Sequence, residues 1–191
     1  MNEEFPPLLV IVNGAPGSGK TTLSRRLADA LRLPHLERDG LKETLADHLE
    51  VANLAQSNAL TPAAVGVFYA LAAELARAGV GMVLDQAYNR GLAEDQLRPL
   101  LASCRTVIVH CVVPREVSVQ RYMRRFERGA RHAAHFDGER IALLQSGKLQ
   151  IDWSLSDPLD LEVPTLLVET VDGYEPAFEE IVEFARRSYS G

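Results

Sequence analysis

The sequence predicts an α/β fold in three layers: a central parallel sheet of about five strands, with helices on both faces. Three observations carry that expectation. Short strand-like segments recur at Leu8–Val12, Met82–Leu84, Val107–Val113 and Pro164–Glu169, and the first is an unbroken apolar run of the kind that marks a strand buried on both faces. Segments with helical periodicity separate these runs, and strands that alternate with helices at short intervals pair in parallel through right-handed crossovers. No repeat, low-complexity tract or long linker divides the 191 residues, which suits one domain spanning 1–191 with a small mobile insert.

The elements follow in order. Leu8–Val12 is the first strand; a glycine-rich turn and a helix from Lys20 to Leu31 come next. Pro34–Arg38 reads as a weak strand that ends at Asp39-Gly40, and a polar helix fits Leu41–Glu50. Thr61-Pro62 reads as a helix start, threonine as N-cap and proline at the first helical position. Val65, Phe68, Tyr69, Ala72, Leu75 and Ala76 then share one face, and Gly79 and Gly81 end the helix. Met82–Leu84 leads into Asp85, a further helix fits Ala93–Leu101, and Pro114 stops the strand Val107–Val113. A basic helix to about Arg128, the strand Pro164–Glu169 and a closing helix Pro176–Ser188 complete the set.

Composition narrows the function classes. With 47% apolar residues and only 6% aromatic ones, the core is expected to be aliphatic. The net charge of −6 argues against a surface built for nucleic-acid phosphates, although a local basic cleft depends on where the charges sit. Cys104 and Cys111 fit neither a CxxC nor a zinc spacing and read as buried thiols. Met1–Pro7 lacks the basic start of a signal peptide, and no apolar run reaches the roughly 20 residues of a membrane span, so a cytoplasmic protein, monomer or homodimer, is expected.

The strongest chemical signal is Gly14-Ala15-Pro16-Gly17-Ser18-Gly19-Lys20-Thr21, which fits GxxxxGK[ST] without mismatch and lies between a buried strand and a helix. Backbone N–H groups must point inward at phosphate oxygens, and glycine permits the dihedrals this requires. The helix N-terminus adds its positive dipole end. Lys20 is expected to reach the β- and γ-phosphates of ATP, Thr21 to ligate Mg²⁺, and Thr22 to flank them.

Ligands of a parallel sheet gather beyond the carboxyl ends of its strands, so Asp39 and Asp85 are expected on the same rim as the glycine-rich turn. Asp39 reads as the carboxylate that positions an acceptor hydroxyl and takes its proton, or as the N-cap of the next helix. Asp85 reads as a Mg²⁺-holding acid, directly or through water, or as a strand-end turn residue. Arg38 and Lys42 flank Asp39. Gln86, Tyr88, Asn89 and Arg90 line an acceptor pocket or form a polar loop.

In the basic helix, Val119, Tyr122, Met123 and Phe126 form an apolar stripe, and Arg121, Arg124, Arg125 and Arg128 lie on the opposite face. Arginine's rigid fork suits phosphate, which makes this face a candidate clamp; the alternative is an ordinary solvated face. As exposed side chains these arginines would add little to stability. Gly129–Gly138 has little periodicity and reads as a mobile loop. His132, His135 and Asp137 lack the further ligands a metal site needs, so phosphate contact or packing fits them better.

At these residues the chain resembles the small P-loop kinases: adenylate, gluconate and shikimate kinases, antibiotic phosphotransferases, zeta-toxin-like kinases and polynucleotide 5′-kinases. The resemblance implies the three-layer P-loop kinase fold with a small lid at about 115–140. Val113-Pro114 with Arg121 and Arg125 is similar to the adenylate-kinase lid helix, where the first arginine packs on adenine and the second contacts phosphates. Gly14–Thr21 with Arg38-Asp39 resembles polynucleotide kinases and chloramphenicol phosphotransferases, where the aspartate activates the acceptor hydroxyl. Asp157–Leu159 through Val163–Glu169 resembles the end of the same group. The resemblance implies an ATP- and Mg²⁺-dependent kinase with a small-molecule acceptor such as a nucleoside, sugar or antibiotic; Arg38, Lys42, Tyr88, Arg90 and Arg128 are the acceptor candidates beside Asp39. No nucleoside-monophosphate pocket pattern is present, and 50–60 matches no motif. The rivals are a polynucleotide 5′-kinase, which needs a basic channel to Asp39, and a nucleotide-gated regulator. The chain lacks both the Asn-Lys-x-Asp guanine signature and an ABC-type Leu-Ser-Gly-Gly-Gln.

Overall fold

In a computed structural model describing residues 6–187, five parallel strands form one sheet in the order β2-β3-β1-β4-β5. The expectations for Met1–Phe5 and Ser188 lie outside the described residues. The strands are β1 (Leu8–Gly14), β2 (His35–Glu37), β3 (Met82–Asp85), β4 (Arg105–Val112) and β5 (Thr165–Glu169). The helices are α1 (Lys20–Leu31), α2 (Arg38–His48), α3 (Leu54–Arg77), α4 (Glu94–Leu101), α5 (Arg115–Glu127), α6 (Asp137–Gln145) and α7 (Phe178–Arg187).

Strand alternation sorts the core into two halves. Leu8, Val10 and Val12 of β1 join Val83, Val107, Val109 and Val168 on the face covered by α1 and α7. Leu9 and Ile11 join Met82, Leu84 and Ile108 on the other face, under Phe68, Ala72 and Ala76 of α3 and Leu97 and Leu100 of α4. These two layers of helix explain why β1 and β3 read as unbroken apolar runs. Register fixes the rim: Val12 stands beside Asp85, and Asp85 beside Glu37, so the ends of β1, β2 and β3 lie level.

Three local expectations are corrected. Helix α3 starts at Leu54, and Pro62 lies inside it. The Asn53 side chain accepts from Gln56 N–H at the N-terminus, and buried Ser57 donates to Ala134 O. These contacts hold the turns upstream of a proline that removes a helical hydrogen bond. Its 24 residues are long and apolar enough to cross a bilayer by length and composition, but the Phe68–Ala76 face is packed on the sheet. Next, α5 is not seated by its apolar stripe: Val119 is 42% and Phe126 39% exposed, and Ser118 is the residue it buries. Last, 129–138 is not without structure, since a 3-10 turn (Ala133–His135) and the start of α6 fall there.

Candidate active site

The glycine-rich turn forms the expected cradle, and its glycines are needed for two separate reasons. Gly14, Gly17 and Gly19 have φ of 143°, 86° and 84°, a region that side chains with a Cβ rarely adopt. A Cβ on Gly14 would also meet Cys111 O at 2.6 Å, and one on Gly17 would meet Ser118 O at 2.5 Å. The turn is tied down from both flanks. Ser118 Oγ donates to Pro16 O, and Thr170 Oγ1 donates to Ser18 O at 2.6 Å. Ala15 and Pro16 complete the loop, while Thr21 is half-buried and Thr22 exposed at the start of α1.

Lys20 makes no hydrogen bond or ion pair with the described residues. Burial pushes its amine below the usual range, against the pull of Asp85 and Asp39. A lysine held in this way awaits an anion. Asp85, also buried, accepts from Ser24 Oγ at 3.1 Å through Oδ2, while its Oδ1 is buried without a partner. Ser24 shares a 2.9 Å hydrogen bond with His35 Nε2, which makes His35-Ser24-Asp85 a chain that fixes the carboxylate. An orphaned carboxylate oxygen beside a phosphate cradle fits a cation such as Mg²⁺ with its waters.

Asp39 is not the N-cap of α2. Glu37 holds that position, and Asp39 lies in the first turn. Its Oδ1 is 2.8 Å from Arg38 Nη1 and its Oδ2 is 3.0 Å from Arg131 Nη2. Burial pushes its pKa up, but Arg38, Arg131, His135 and Lys20 together hold it below the usual carboxylate range. Lys42, one turn along α2, is buried.

The arginine face of α5 separates in the structure. Arg121 donates to Thr170 O at 2.6 Å and Val171 O at 2.8 Å, and lies 3.5 Å from Gly17 O. It is therefore a structural tie between α5, the glycine-rich turn and the segment after β5, and not the freely exposed side chain that was expected. Arg121→Ala should cost about 1.5–3 kcal/mol, the range for charge-assisted hydrogen bonds; an unchanged denaturant midpoint would refute the tie. Arg125 lies over the Tyr122 ring, and its charge acts on Lys20. Arg124 and Arg128 are exposed.

Two of the acceptor candidates are not brought to Asp39. Arg128 is exposed just past the last turn of α5, and Arg90 is exposed beside Glu94, whose carboxyl it influences. Tyr88 is a core residue, sealed by apolar packing with Leu97 and Phe68; its unpartnered hydroxyl feels Tyr69, Asp85 and Arg38.

The residue that sequence reasoning passed over is Arg131, which joins Asp39 to Asp137 at 3.0 Å each. It belongs to a row of contacts between α2 and 131–135. Asp39, Glu43 and Asp47 recur every four residues on α2, and they meet Arg131, His135 (2.7 Å) and His132 (3.0 Å) in turn. The i, i+4 spacing of the acids was the available signal.

Burial holds the His135 imidazole below its usual range, and Arg131 adds to this; Glu43 and Asp39 oppose it. Between that lowered value and 6.5 the unfolded chain binds more protons than the folded one, so stability rises with pH across this window. Lowering the pH from about 7.5 to about 5.5 should therefore lower the melting temperature of the wild type relative to His135→Asn. Parallel curves for the two proteins would remove His135 from the pH response.

The chain matches the AAA domain family over residues 9–146, more than half its length. Among solved structures, a candidate kinase from Chloroflexus aurantiacus J-10-fl is 29% identical, with a TM-score of 0.80 over 96% of this chain and 98% of that one. A sugar kinase from Janibacter sp. HTCC2649 is 20% identical (TM-score 0.53, 96% and 95% covered). The APS kinase of Mycobacterium tuberculosis, solved with AMPPNP and APS, is 16% identical (TM-score 0.58, 98% and 99% covered). At those identities the last two speak for the fold alone. No curated protein matches the chain. The cradle and both rim aspartates fall within the matched segment, and the chain belongs to the AAA domain family, with the fold of the small P-loop kinases.

Proposed function

We propose that this protein is an ATP- and Mg²⁺-dependent kinase that transfers the γ-phosphoryl group to a hydroxyl of a small molecule. The observation that carries the reading is Lys20 and Asp39 on one rim: a half-buried cation with no hydrogen bond or ion pair among the described residues at the phosphate cradle, and a charged carboxylate whose field reaches it. A nucleotide-gated hydrolase needs the first and not the second. The similarity to the Chloroflexus candidate kinase supports the same reading.

Each part has a stated task. The N–H groups of Gly14–Thr21 and the Lys20 amine hold the β- and γ-phosphates. Thr21 and Asp85 would hold Mg²⁺, which when bound neutralises charge on the phosphate oxygens. Arg125 would neutralise charge on the transferred group, Arg121 would lie on the nucleotide side, and 115–140 would serve as the lid. The acceptor oxygen bonds to the γ-phosphorus as the bond to the ADP oxygen breaks, and the hydroxyl proton passes to Asp39. Phosphoryl transfer proceeds through a loose transition state in which proton transfer carries little of the barrier, so a carboxylate of low pKa suffices if it is well placed. Arg38 and Arg131 supply that placement.

The test is ADP release from Mg²⁺-ATP across a panel of nucleosides, sugars, sugar acids and antibiotics, with phosphorylated product measured in parallel. Release matched one to one by phosphorylated acceptor is expected. Full turnover with water alone, unmoved by any hydroxyl compound, would establish a nucleotide hydrolase instead.

A further inference from the structure

We propose that the cavity between the end of α5 and residues 131–138 binds a flat heterocyclic ring of the acceptor, a nucleobase-like ring that offers an N–H to Asp137. That the ring belongs to the phosphoryl acceptor rests on the kinase reading above; the ring site itself does not.

The cavity holds about 250 Å³, and Phe126, Phe136, Arg131, Asp137 and Gly138 are among its lining residues. A cavity of roughly 150 Å³ takes a benzene ring, so this one has room for a fused pair of rings. Its two phenyl groups are uncommitted. Phe126 is 39% exposed, and among the described residues neither ring packs on another aromatic side chain or under an arginine. Phe136 is held there at a cost, because its backbone has φ 50° and ψ 42°, a left-handed conformation that bulky residues rarely adopt. Strain of this kind clusters at ligand sites. Gly138 opens the space: a Cβ there would meet the Phe126 ring at 3.5 Å, so a longer side chain would lie against that ring and take up the cavity.

Asp137 gives the cavity its polar end. It is 8% exposed, and both hydrogen bonds it accepts, from Tyr122 at 2.8 Å and from Arg131 at 3.0 Å, go to Oδ1. Oδ2 makes no hydrogen bond with the described residues and is not sealed in protein, which leaves it as the open acceptor in the cavity wall. Arg131 already balances the charge of this carboxylate. A neutral N–H donor therefore suits Oδ2, whereas an ammonium group would meet the arginine beside it.

Arg131 also relates the cavity to Asp39. Its Nη1 holds Asp137 and its Nη2 holds Asp39, at 3.0 Å each, so the two carboxylates stand one guanidinium apart. A compact acceptor can present a ring N–H to the first and a hydroxyl to the second, as a nucleoside does with its base and its sugar. The cavity is separate from the cradle, which is tied to α5 at Ser118; Phe126 lies about two helical turns, roughly 12 Å, further along.

The test titrates the four ribonucleosides, with ribose as the ring-free control, into protein saturated with Mg²⁺-AMPPNP, by calorimetry or saturation-transfer NMR. At least one ribonucleoside is expected to bind one to one, with ribose at least about tenfold weaker, the scale of a base stacked on an aromatic side chain. Gly138→Leu should weaken that binding by about tenfold or more because it fills the space. It should melt no lower than wild type, since a helical glycine of ordinary φ is replaced by a better helix former. Phe126→Ala should weaken it by about tenfold as well. AMPPNP affinity should stay within about threefold in both variants, because neither side chain touches the cradle. Absence of nucleoside binding, ribose binding as tight as that of every nucleoside, or nucleoside binding unaltered in both variants overturns the inference and leaves the kinase reading in place. A tenfold loss of AMPPNP affinity in both variants would put the donor's own ring in the cavity and overturn it too. If AMPPNP itself does not bind, the kinase reading falls, and the same titration on the free protein decides the ring site.

Discussion

Lys20→Ala is expected to lower phosphoryl transfer by about 10³-fold while leaving the fold intact. The amine belongs to the glycine-rich cradle and would meet the charge that develops as the bond to ADP breaks, and removal of a preorganised donor of this kind costs on the order of 10²–10³ in turnover. The stability argument runs the other way. Burial lowers the Lys20 pKa from 10.5, so the folded state disfavours the protonated amine, and that penalty is present at neutral pH and relieved as pH rises through the lowered value. Alanine removes the penalty together with the charge. The melting temperature should hold or rise slightly, while the stabilisation that wild type gains from saturating Mg²⁺-ATP should shrink. Turnover equal to wild type with any acceptor would end the cradle assignment.

Asp39→Asn is the second large effect: a fall in transfer of about 10²-fold or more, the scale of general-base catalysis, with Mg²⁺-ATP affinity nearly unchanged. Asparagine preserves the shape but presents an amide to Arg38 or Arg131, so it also weakens the contact between α2 and the 131–135 segment. Arg131→Gln separates the two roles. It loosens the same contact while leaving the carboxylate ionised. If Asp39 acts mainly on the hydroxyl, Asp39→Asn should lower kcat well beyond Arg131→Gln, whose defect should fall more on KM. Equal kinetics in the two variants would make Asp39 a latch for the lid and not a catalytic residue. Retained transfer in Asp39→Asn would remove it from the site, and lost nucleotide binding would recast it as a phosphate or metal residue.

The sequence by itself determined what depends on neighbours along the chain. Apolar segments specified four of the five strands, most plainly β1 and β3, whose burial on both faces leaves no polar alternation. GxxxxGK[ST] after a strand specified the cradle, because its glycine dihedrals are a local requirement. Only the tertiary structure decided what depends on residues distant in sequence. The start of α3 upstream of Pro62 relies on Ser57 reaching Ala134, a contact that no helix-start rule contains. Burial on α5 falls on Ser118 because that side is pinned to Pro16 of the cradle, which reverses the reading of its apolar stripe. Asp39 is held below the usual carboxylate range first by its neighbour Arg38 and then by Arg131, and that second contact, 92 positions away, exists only in the folded chain. Periodicity reports which face of an element is buried; it carries no information about which charges meet across two elements, and in this protein those meetings define the acceptor side of the site.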